Sequence, residues 1–266
     1  MTTTAGVDIG STASKAVVMR DGRVLGAIIG PSSTNPAKTA RGIFEQALEE
    51  GEVAKAEVQY IVGTGYGRAH VPFANENISE ISCHGRGAFH YLPSVRTILD
   101  IGGQDTKAIC VDEKGGLLDF AMNDKCAAGT GRFLEAIIRN MEISLDEMEK
   151  FHFQGGDPCI ISSMCSVFAE SEVINLVNEG VEISRIIKGL HISLAGRIAT
   201  LAKRVGVIED VAVTGGVAKN RGVIDAIEQK LGVKVKRFPE GVDPQLVGAV
   251  GAAILAADRF AAQSRK

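Results

Sequence analysis

Two cysteines stand in unusually similar company. Cys126 closes the run Asn123-Asp124-Lys125 and leads into Ala127-Ala128-Gly129-Thr130-Gly131-Arg132-Phe133. Cys165 follows Ser162-Ser163-Met164 and leads into Ser166-Val167-Phe168-Ala169-Glu170-Ser171-Glu172. Gly129 and Gly131 let the backbone come close to whatever the first thiol holds. Phe133, Leu134, Ile137, Ile138 and Met141 then recur at helical spacing. Each cysteine is expected to begin a helix, where free N–H groups and the helix dipole stabilise a thiolate. Two helix-start thiols in one chain point to a metal or cluster site rather than to core packing.

Two aspartates form a second pair. Asp8-Ile9-Gly10 matches Asp100-Ile101-Gly102, and Lys15 and Lys107 follow seven residues after each aspartate, an offset of 92 residues between copies. Each lysine comes after a hydroxyl residue, Ser14 or Thr106, and before an alanine. A strand that ends in Asp-Ile-Gly before small polar residues makes a hairpin whose backbone can wrap a phosphate. Ser11, Thr12, Gly103 and Gln104 would line the phosphate tail. Paired carboxylates suit Mg²⁺, which takes a few carboxylates and keeps waters and substrate phosphates. Gly215-Gly216 ends a further strand, a place for backbone contact with a nucleotide. One Asp-Ile-Gly alone is an ordinary strand-end turn; the second copy at matching spacing favours the nucleotide. For Lys15 and Lys107, phosphate contact and solvated strand positions both fit the pattern. Neither a Walker A loop nor a G-x-G-x-x-G unit is present.

These residues need a duplicated scaffold to bring them together. A strand, a tight turn and a second strand are expected across Gly6–Met19, with further strands at Val24–Ile29 and Val58–Val62 and helices at Pro36–Glu50 and from Ser79 toward Tyr91. The pattern restarts at Arg96–Ile101, passes through Lys107–Val111 and Leu117–Met122, and is interrupted by the cysteine region up to about Asn178. A long helix at Glu182–Val205, a strand at Val211–Val213, a helix to Leu231, a strand at Val233–Val235 and a helix from about Pro244 to Phe260 complete it. The chain thus reads as two β-β-β-α-β-α copies with one ligand in the cleft between them. The first would comprise residues 1–93 with the C-terminal helix 244–266, the second residues 94–243 with the cysteine insert.

Composition excludes several classes. A net charge of −3, no tryptophan and 5% aromatic residues argue against a nucleic-acid surface and against an anionic membrane. The longest run of apolar residues and glycine, Leu246–Ala257, is 12 residues, too short to span a bilayer. The N-terminus carries neither a basic segment nor an apolar one, so a cytoplasmic protein is expected. Five cysteines, an odd number, fit thiol or metal chemistry better than structural disulfides. Cys110 alternates with Ile109 and Val111 and reads as a buried strand residue, and Cys83 as a helical core or interface position. His152 and His191 are lone histidines to which no role is assigned. Glu170 and Glu172 shape the helix after Cys165, hold domain contacts, or form a solvated face with no further role.

Asp8 to Lys15, Asp100 to Lys107 and Thr214 to Asn220 resemble the phosphate-1, phosphate-2 and adenosine motifs of the superfamily of acetate and sugar kinases, Hsp70 chaperones and actin. The runs Met122–Phe133, Val167–Val173, Thr64–Arg68 and Ser79–His84 resemble one branch of it. That branch is the ATP-dependent activators of 2-hydroxyacyl-CoA dehydratases, kin to benzoyl-CoA reductase ATPase subunits and to reductases of double-cubane cluster proteins. The resemblance covers nearly the whole chain. It implies an α/β fold of duplicated ribonuclease H-like domains with a nucleotide cleft between them.

It also implies an ATPase coupled to electron transfer. Asp8 and Asp100 would be catalytic and hold Mg²⁺, and Gln104 would join them in catalysis. Gly10, Ser11, Thr12, Lys15, Gly102, Gly103, Gln104, Asp105, Gly215, Gly216, Lys219 and Asn220 would bind ATP or ADP. In this branch each protomer supplies two cysteines to a [4Fe–4S] cluster that bridges a homodimer; the matching positions are Cys126 and Cys165. Met164 and Ser166 stand where hydroxyl residues are usual, and Cys159 is an extra thiol six residues before Cys165. The implied partner is an iron–sulfur enzyme that accepts the electron, with a ferredoxin or flavodoxin as its source. The competing readings are a small-molecule kinase of the same fold and an actin-like or chaperone-like scaffold; an oxygen-sensitive brown protein would exclude both.

Overall fold

The computed structural model of the chain describes residues 1–162 and 165–264; Ser163 and Met164 of the second cysteine stretch lie outside the described residues. Strands β1 (Thr3–Ile9), β2 (Ala13–Arg20) and β3 (Arg23–Pro31) form an antiparallel meander, and Asp21-Gly22 makes the hairpin turn between β2 and β3, both residues at positive φ. Helix α1 (Pro36–Glu50) starts with Pro36 in its first turn and with Asn35 accepting the Lys38 N–H, and it buries Ala40, Ile43, Phe44, Ala47 and Leu48. Strand β4 (Tyr60–Thr64) returns parallel to β1, and a short β5 (Glu76–Asn77) adds beside it. Helix α2 (Glu80–Tyr91) comes next, capped by Ser79.

The second copy repeats this order with β6 (Thr97–Ile101), β7 (Thr106–Val111) and β8 (Leu117–Asn123). Helices α3 (Gly131–Ile138), α4 (Glu147–Phe153), α5 (Ser166–Asn178) and α6 (Ile183–Val205) stand where the first copy has α1. Then come β9 (Val211–Thr214), α7 (Arg221–Leu231), β10 (Val235–Lys236) and α8 (Val247–Gln263). The sheets run β3-β2-β1-β4-β5 and β8-β7-β6-β9-β10, so each strand of one has a counterpart in the other. The registers agree as well: Asp8 sits opposite Lys15 and Thr64, and Asp100 opposite Lys107 and Thr214. The fold is the duplicated α/β architecture that the repeat implies. Sequence patterning missed β5 and α4, elements of two and seven residues too short for a periodic signal.

The two sheets meet through α2 and α8. Helix α8 lies on β1, β2 and β4, whereas α2 lies on α8 and reaches the second sheet. Gly87 and Gly251 make this crossing close: a Cβ on Gly251 would strike the carbonyl of Cys83, and one on Gly87 the carbonyl of Val247. The apolar run Val247–Ala257 is thereby explained as a helix with one face on a sheet and the other on a helix backbone. A Gly251→Ala substitution is expected to destabilise the fold by about 2 kcal/mol, in the range of core overpacking. A lowered denaturation midpoint with unchanged slope would show it, and an unchanged midpoint would mean that the crossing relaxes freely.

Candidate active site

The cleft between the sheets has a volume of about 370 Å³ and is walled by both copies of the Asp-Ile-Gly turn. Asp8 and Asp100 are 3% and 4% exposed, and burying a carboxylate is unfavourable unless it is paired. Each is paired from its own hairpin: Lys15 Nζ lies 3.1 Å from Asp8 Oδ2, and Lys107 Nζ lies 3.4 Å from Asp100 Oδ2. The register that puts Lys opposite Asp is therefore an electrostatic match, and neither lysine is a solvated strand residue. Lys107 also meets Asp105 Oδ1 at 2.8 Å.

Asp100 gathers further partners. Thr214 at the end of β9 donates its hydroxyl to Asp100 Oδ1 at 2.9 Å. His84 on α2 lies 3.0 Å from that hydroxyl and 3.4 Å from the same carboxylate oxygen. Burial opposes the charge of Asp100, but His84, Lys107, Lys15 and the Thr214 hydroxyl outweigh it and hold the carboxyl down at about 2. Burial likewise opposes the Lys107 charge, and Asp100 and Asp105 override it and raise its pKa above the ordinary lysine value. Asp100 is thus a carboxylate at neutral pH, the form a divalent cation requires.

Gly10, Ser11, Thr12 and Lys15 line the cleft from the first copy; Gly102, Gly103, Asp105, Gly215, Gly216, Lys219 and Asn220 line it from the second. Gly65 and Gly215 stand just past the equivalent strands β4 and β9 at φ +87° and +86°. A Cβ at Gly65 would meet Asp8 and one at Gly215 would meet Ile101 and Asp100, so both conformation and space require glycine. Gln104 is the exception: it is exposed and is not among the cleft-lining residues. Its neighbours Gly102 and Gly103 occupy the wall instead, because the backbone there is bonded to the segment beyond Cys126. Glu80, His84 and Lys107 also line the cleft. The first two carry no cleft role in the sequence pattern. Glu80 and His84 lie four residues apart on one face of α2, with Glu80 ion-paired to Arg68 at 2.7 Å. That helical spacing was the available signal.

The cysteines divide by environment. Cys83 and Cys110 are buried, as expected, and burial pushes the Cys83 thiol up to about 12. Cys126 is exposed, whereas Cys159 and Cys165 are half-buried. Cys165 is the residue preceding α5, as a helix-start thiol should be. Cys126 is not at a helix start: α3 is preceded by Thr130, and Cys126 sits in a loop whose carbonyl accepts the Asn123 side-chain N–H at 2.9 Å. The chain folds back before the helix begins, with Thr130 donating to the Ala127 carbonyl. Cys159 is held on α6 by its N–H to the Arg185 carbonyl and packs against the second core. Glu172 accepts the Ser162 N–H, tying α5 to the segment before Cys165. Among the described residues, no three His, Cys, Asp or Glu side chains stand together as a ligand set.

The Cys126 loop is bonded to the second Asp-Ile-Gly turn. The N–H groups of Gly131 and Arg132, which open α3, donate to the carbonyls of Gly102 and Gly103 at 2.9 and 3.0 Å. Thr106 on β7 donates its hydroxyl to the Gly129 carbonyl at 2.5 Å. The strand before Cys126 and the helix after Cys165 carry exposed apolar residues: Leu118, Phe120 and Met122 on the edge strand β8, and Val167 and Phe168 on α5.

His152 and His191, unassigned from sequence, come together as a buried pair, Nδ1 to Nδ1 at 3.0 Å. His191 on α6 is wholly buried. Burial first, then the neighbouring His152 ring, hold His191 down at about 3.

The model of the BadF/BadG/BcrA/BcrD ATPase family matches residues 5–256. The chain is 48% identical to an activator of lactoyl-CoA dehydratase from Anaerotignum propionicum, over 95% of this chain and 96% of that protein. It is 37% identical to a subunit of benzoyl-CoA reductase from Thauera aromatica, over 97% and 94% of the two chains. The crystal structure of component A of the (R)-2-hydroxyglutaryl-CoA dehydratase of Acidaminococcus fermentans superposes with a TM-score of 0.93 at 41% identity, covering 98% of this chain and all of that one. The activator of 2-hydroxyisocaproyl-CoA dehydratase from Clostridium difficile, with bound ADPNP, superposes at 0.92 and 40% identity over 99% and 97%. A glucokinase of the ROK family from Streptomyces griseus shares the fold alone, at 0.58 and 15% identity over 96% and 99%. Among the described residues, no helix is long and apolar enough to cross a membrane.

The His191 ring makes stability depend on pH. Its folded value is depressed, so the unfolded chain takes up a proton near pH 6.5 that the folded chain refuses until about pH 3. Its contribution is complete above pH 6.5 and is lost as pH falls below it. One such proton is worth about 1.4 kcal/mol per pH unit. His191→Gln is expected to flatten the fall in denaturation free energy between about pH 6 and pH 4. Equal slopes in the two proteins would show that another group titrates there.

Proposed function

The chain belongs to the BadF/BadG/BcrA/BcrD ATPase family, and on that premise we propose that it is an ATP-driven activator that passes an electron to a partner iron–sulfur enzyme of the 2-hydroxyacyl-CoA dehydratase kind. The observation that carries this reading is the bonding of the Gly102-Gly103 turn to the opening of α3, which joins a phosphate turn to the loop of an exposed cysteine. A kinase of the same fold would need the cleft and a substrate pocket, but neither the cysteine nor its tie.

In this reading the phosphates of ATP lie between the turns Gly10–Thr12 and Gly102–Gly103, and the adenosine lies toward Gly215–Asn220. Mg²⁺ is held near Asp8 and Asp100. The donor set fits that ion: two buried carboxylates, one of them held well below the ordinary range, with room for waters and phosphate oxygens. Lys15 and Lys107 neutralise the carboxylates and are placed to neutralise phosphate when the cleft is filled. Movement of the Gly102-Gly103 turn toward phosphate displaces the first turn of α3, and with it the Cys126 loop. Closure of the two sheets around the nucleotide acts on the same bonds.

Cys126 and Cys165 would hold half of a [4Fe–4S] cluster, the other half coming from a second copy of the chain. The residues fit such a half-site: one exposed and one half-buried thiol, no ligand set of three among the described residues, and exposed apolar residues on β8 and α5 that a two-fold partner would cover. When bound, the cluster supplies one-electron transfer at low potential. Phe120, Met122, Val167 and Phe168 are the residues that would seal the dimer around it. A ferredoxin or flavodoxin would deliver the electron. An aromatic-ring reductase is the second candidate acceptor, favoured by the likeness to the benzoyl-CoA reductase chain.

Asp100→Asn is expected to reduce ATP hydrolysis by at least about a hundredfold, the scale for removing one electrostatic group from a reacting centre. Iron content should be unchanged, and hydrolysis at the wild-type rate would refute the assignment. After anaerobic purification, about four irons per dimer are expected from the four-thiolate requirement. Cys126→Ser and Cys165→Ser should each lose the iron and weaken the dimer, whereas Cys110→Ser and Cys159→Ser should keep both. A full complement of iron in Cys165→Ser, with loss in Cys159→Ser, would move the site.

A further inference from the structure

Asn220 sits at the junction of the cleft wall and α7. Its side-chain oxygen accepts the N–H groups of Gly222 and Val223 at 2.9 and 3.2 Å, capping the helix. That fixes which end of the carboxamide is which. Its nitrogen is the atom 3.4 Å from His191 Nε2, so the amide donates and the ring nitrogen accepts. His191 must then carry its proton on Nδ1 and donate it to His152 Nδ1, 3.0 Å away. His152 in turn carries its proton on Nε2 and donates it to Asp225 Oδ2 at 3.1 Å. Gln229 donates to the same oxygen at 2.6 Å. One helix cap therefore sets the tautomers of both buried rings, in a chain of donors that runs from the cleft wall to a carboxylate at the surface of α7.

This chain does more than a cap needs. The α7 cap is complete with the Asn220 oxygen alone. A carboxamide held only by its oxygen can still swing its nitrogen, and the ring removes that freedom. Two buried histidines, from α4 and α6, are committed to the task. Glu149, also on α4, lines the cleft and accepts the Arg221 N–H at 3.0 Å, so the same helix anchors the wall on both sides of Asn220.

We propose that His191, held by His152 and Asp225, is a positioning residue for the nucleotide: it orients the Asn220 carboxamide so that its second N–H meets a hydrogen-bond acceptor on the nucleoside half of the ligand. The inference rests on the nucleotide reading of the cleft. It assigns the two histidines a part in binding that is separate from the phosphate turns.

Calorimetric binding of ADP and of inorganic tripolyphosphate to the wild type and to His191→Leu, His191→Asn and His191→Gln tests it. Glutamine carries an amide to the Nε2 position and can accept from Asn220, whereas asparagine reaches only Nδ1 and leucine neither. The expected result is ADP affinity weakened about tenfold in the Leu and Asn variants, the scale of one hydrogen bond, and largely restored in the Gln variant. Tripolyphosphate binding should be unchanged in all three. Equal ADP affinity throughout, or parallel loss of ADP and tripolyphosphate, would overturn the inference. If the wild type bound neither probe, the nucleotide reading itself would fall. Asn220→Ser keeps a capping acceptor, but its short hydroxyl cannot reach where the carboxamide N–H groups point, so it tests the same bond if a His191 variant does not fold. It should weaken ADP and spare tripolyphosphate, and wild-type affinity for ADP in that variant would also overturn the inference.

Discussion

The buried charge of Asp100 is the constraint on which the rest of the structure depends. A carboxylate that is 4% exposed needs compensating groups, and no single element supplies them. Lys107 comes from β7, Thr214 from the end of β9 and His84 from α2, so the charge is stable only when the β6-β7 hairpin, the parallel β9 and the crossing helix are all in place. Asp8 makes the simpler version of the same demand in the first copy, where Lys15 answers it. The repeat therefore preserves an electrostatic solution and not merely a chain path. Because α2 packs on α8 and reaches the second sheet, His84 also links Asp100 to the elements that join the two halves.

The two copies diverge after their third strand. In the first, β3 leads to α1, which lies on its own sheet and buries one apolar face. In the second, β8 leads to the Cys126 loop and four helices, and the loop is bonded back to the Gly102-Gly103 turn. Both turns face one cleft, but the second alone is connected to a cysteine among the described residues. An arrangement with two equivalent Asp-Ile-Gly turns thus acquires a direction: displacement at one end has a covalent and hydrogen-bonded route to the surface. The apolar exposure of β8 and α5 at that surface is the kind of patch that a second polypeptide covers.

The sequence by itself determined whatever depends on local order and repetition. The 92-residue offset of Asp-Ile-Gly and Lys establishes two equivalent hairpins, since register in an antiparallel pair follows from residue count across the turn. Helical spacing locates the boundaries of α1 and α6, because each shows several turns of apolar periodicity. The burial of Cys110 follows from its flanking apolar residues, and that of Cys83 from its place on a helix.

Only the tertiary structure decided the contacts between elements distant in the chain. Glu80 and His84 become cleft residues because α2 crosses between the sheets, and no local pattern encodes that crossing. His152 and His191 are unremarkable in isolation and become a pair because α4 and α6 pack together against α7. The expected helix start at Cys126 fails because Gly129 takes φ +104° and Thr130 folds back on Ala127, so the first helical N–H groups go to Gly102 and Gly103 instead of the thiol. Gln104 belongs in the cleft by analogy with its glycine neighbours, but the wall there is backbone and its side chain stands in solvent. Side-chain chemistry was legible wherever a residue answers to its near neighbours. It was illegible where a hydrogen bond or an ion pair is completed from another part of the fold, because long-range packing selects that partner.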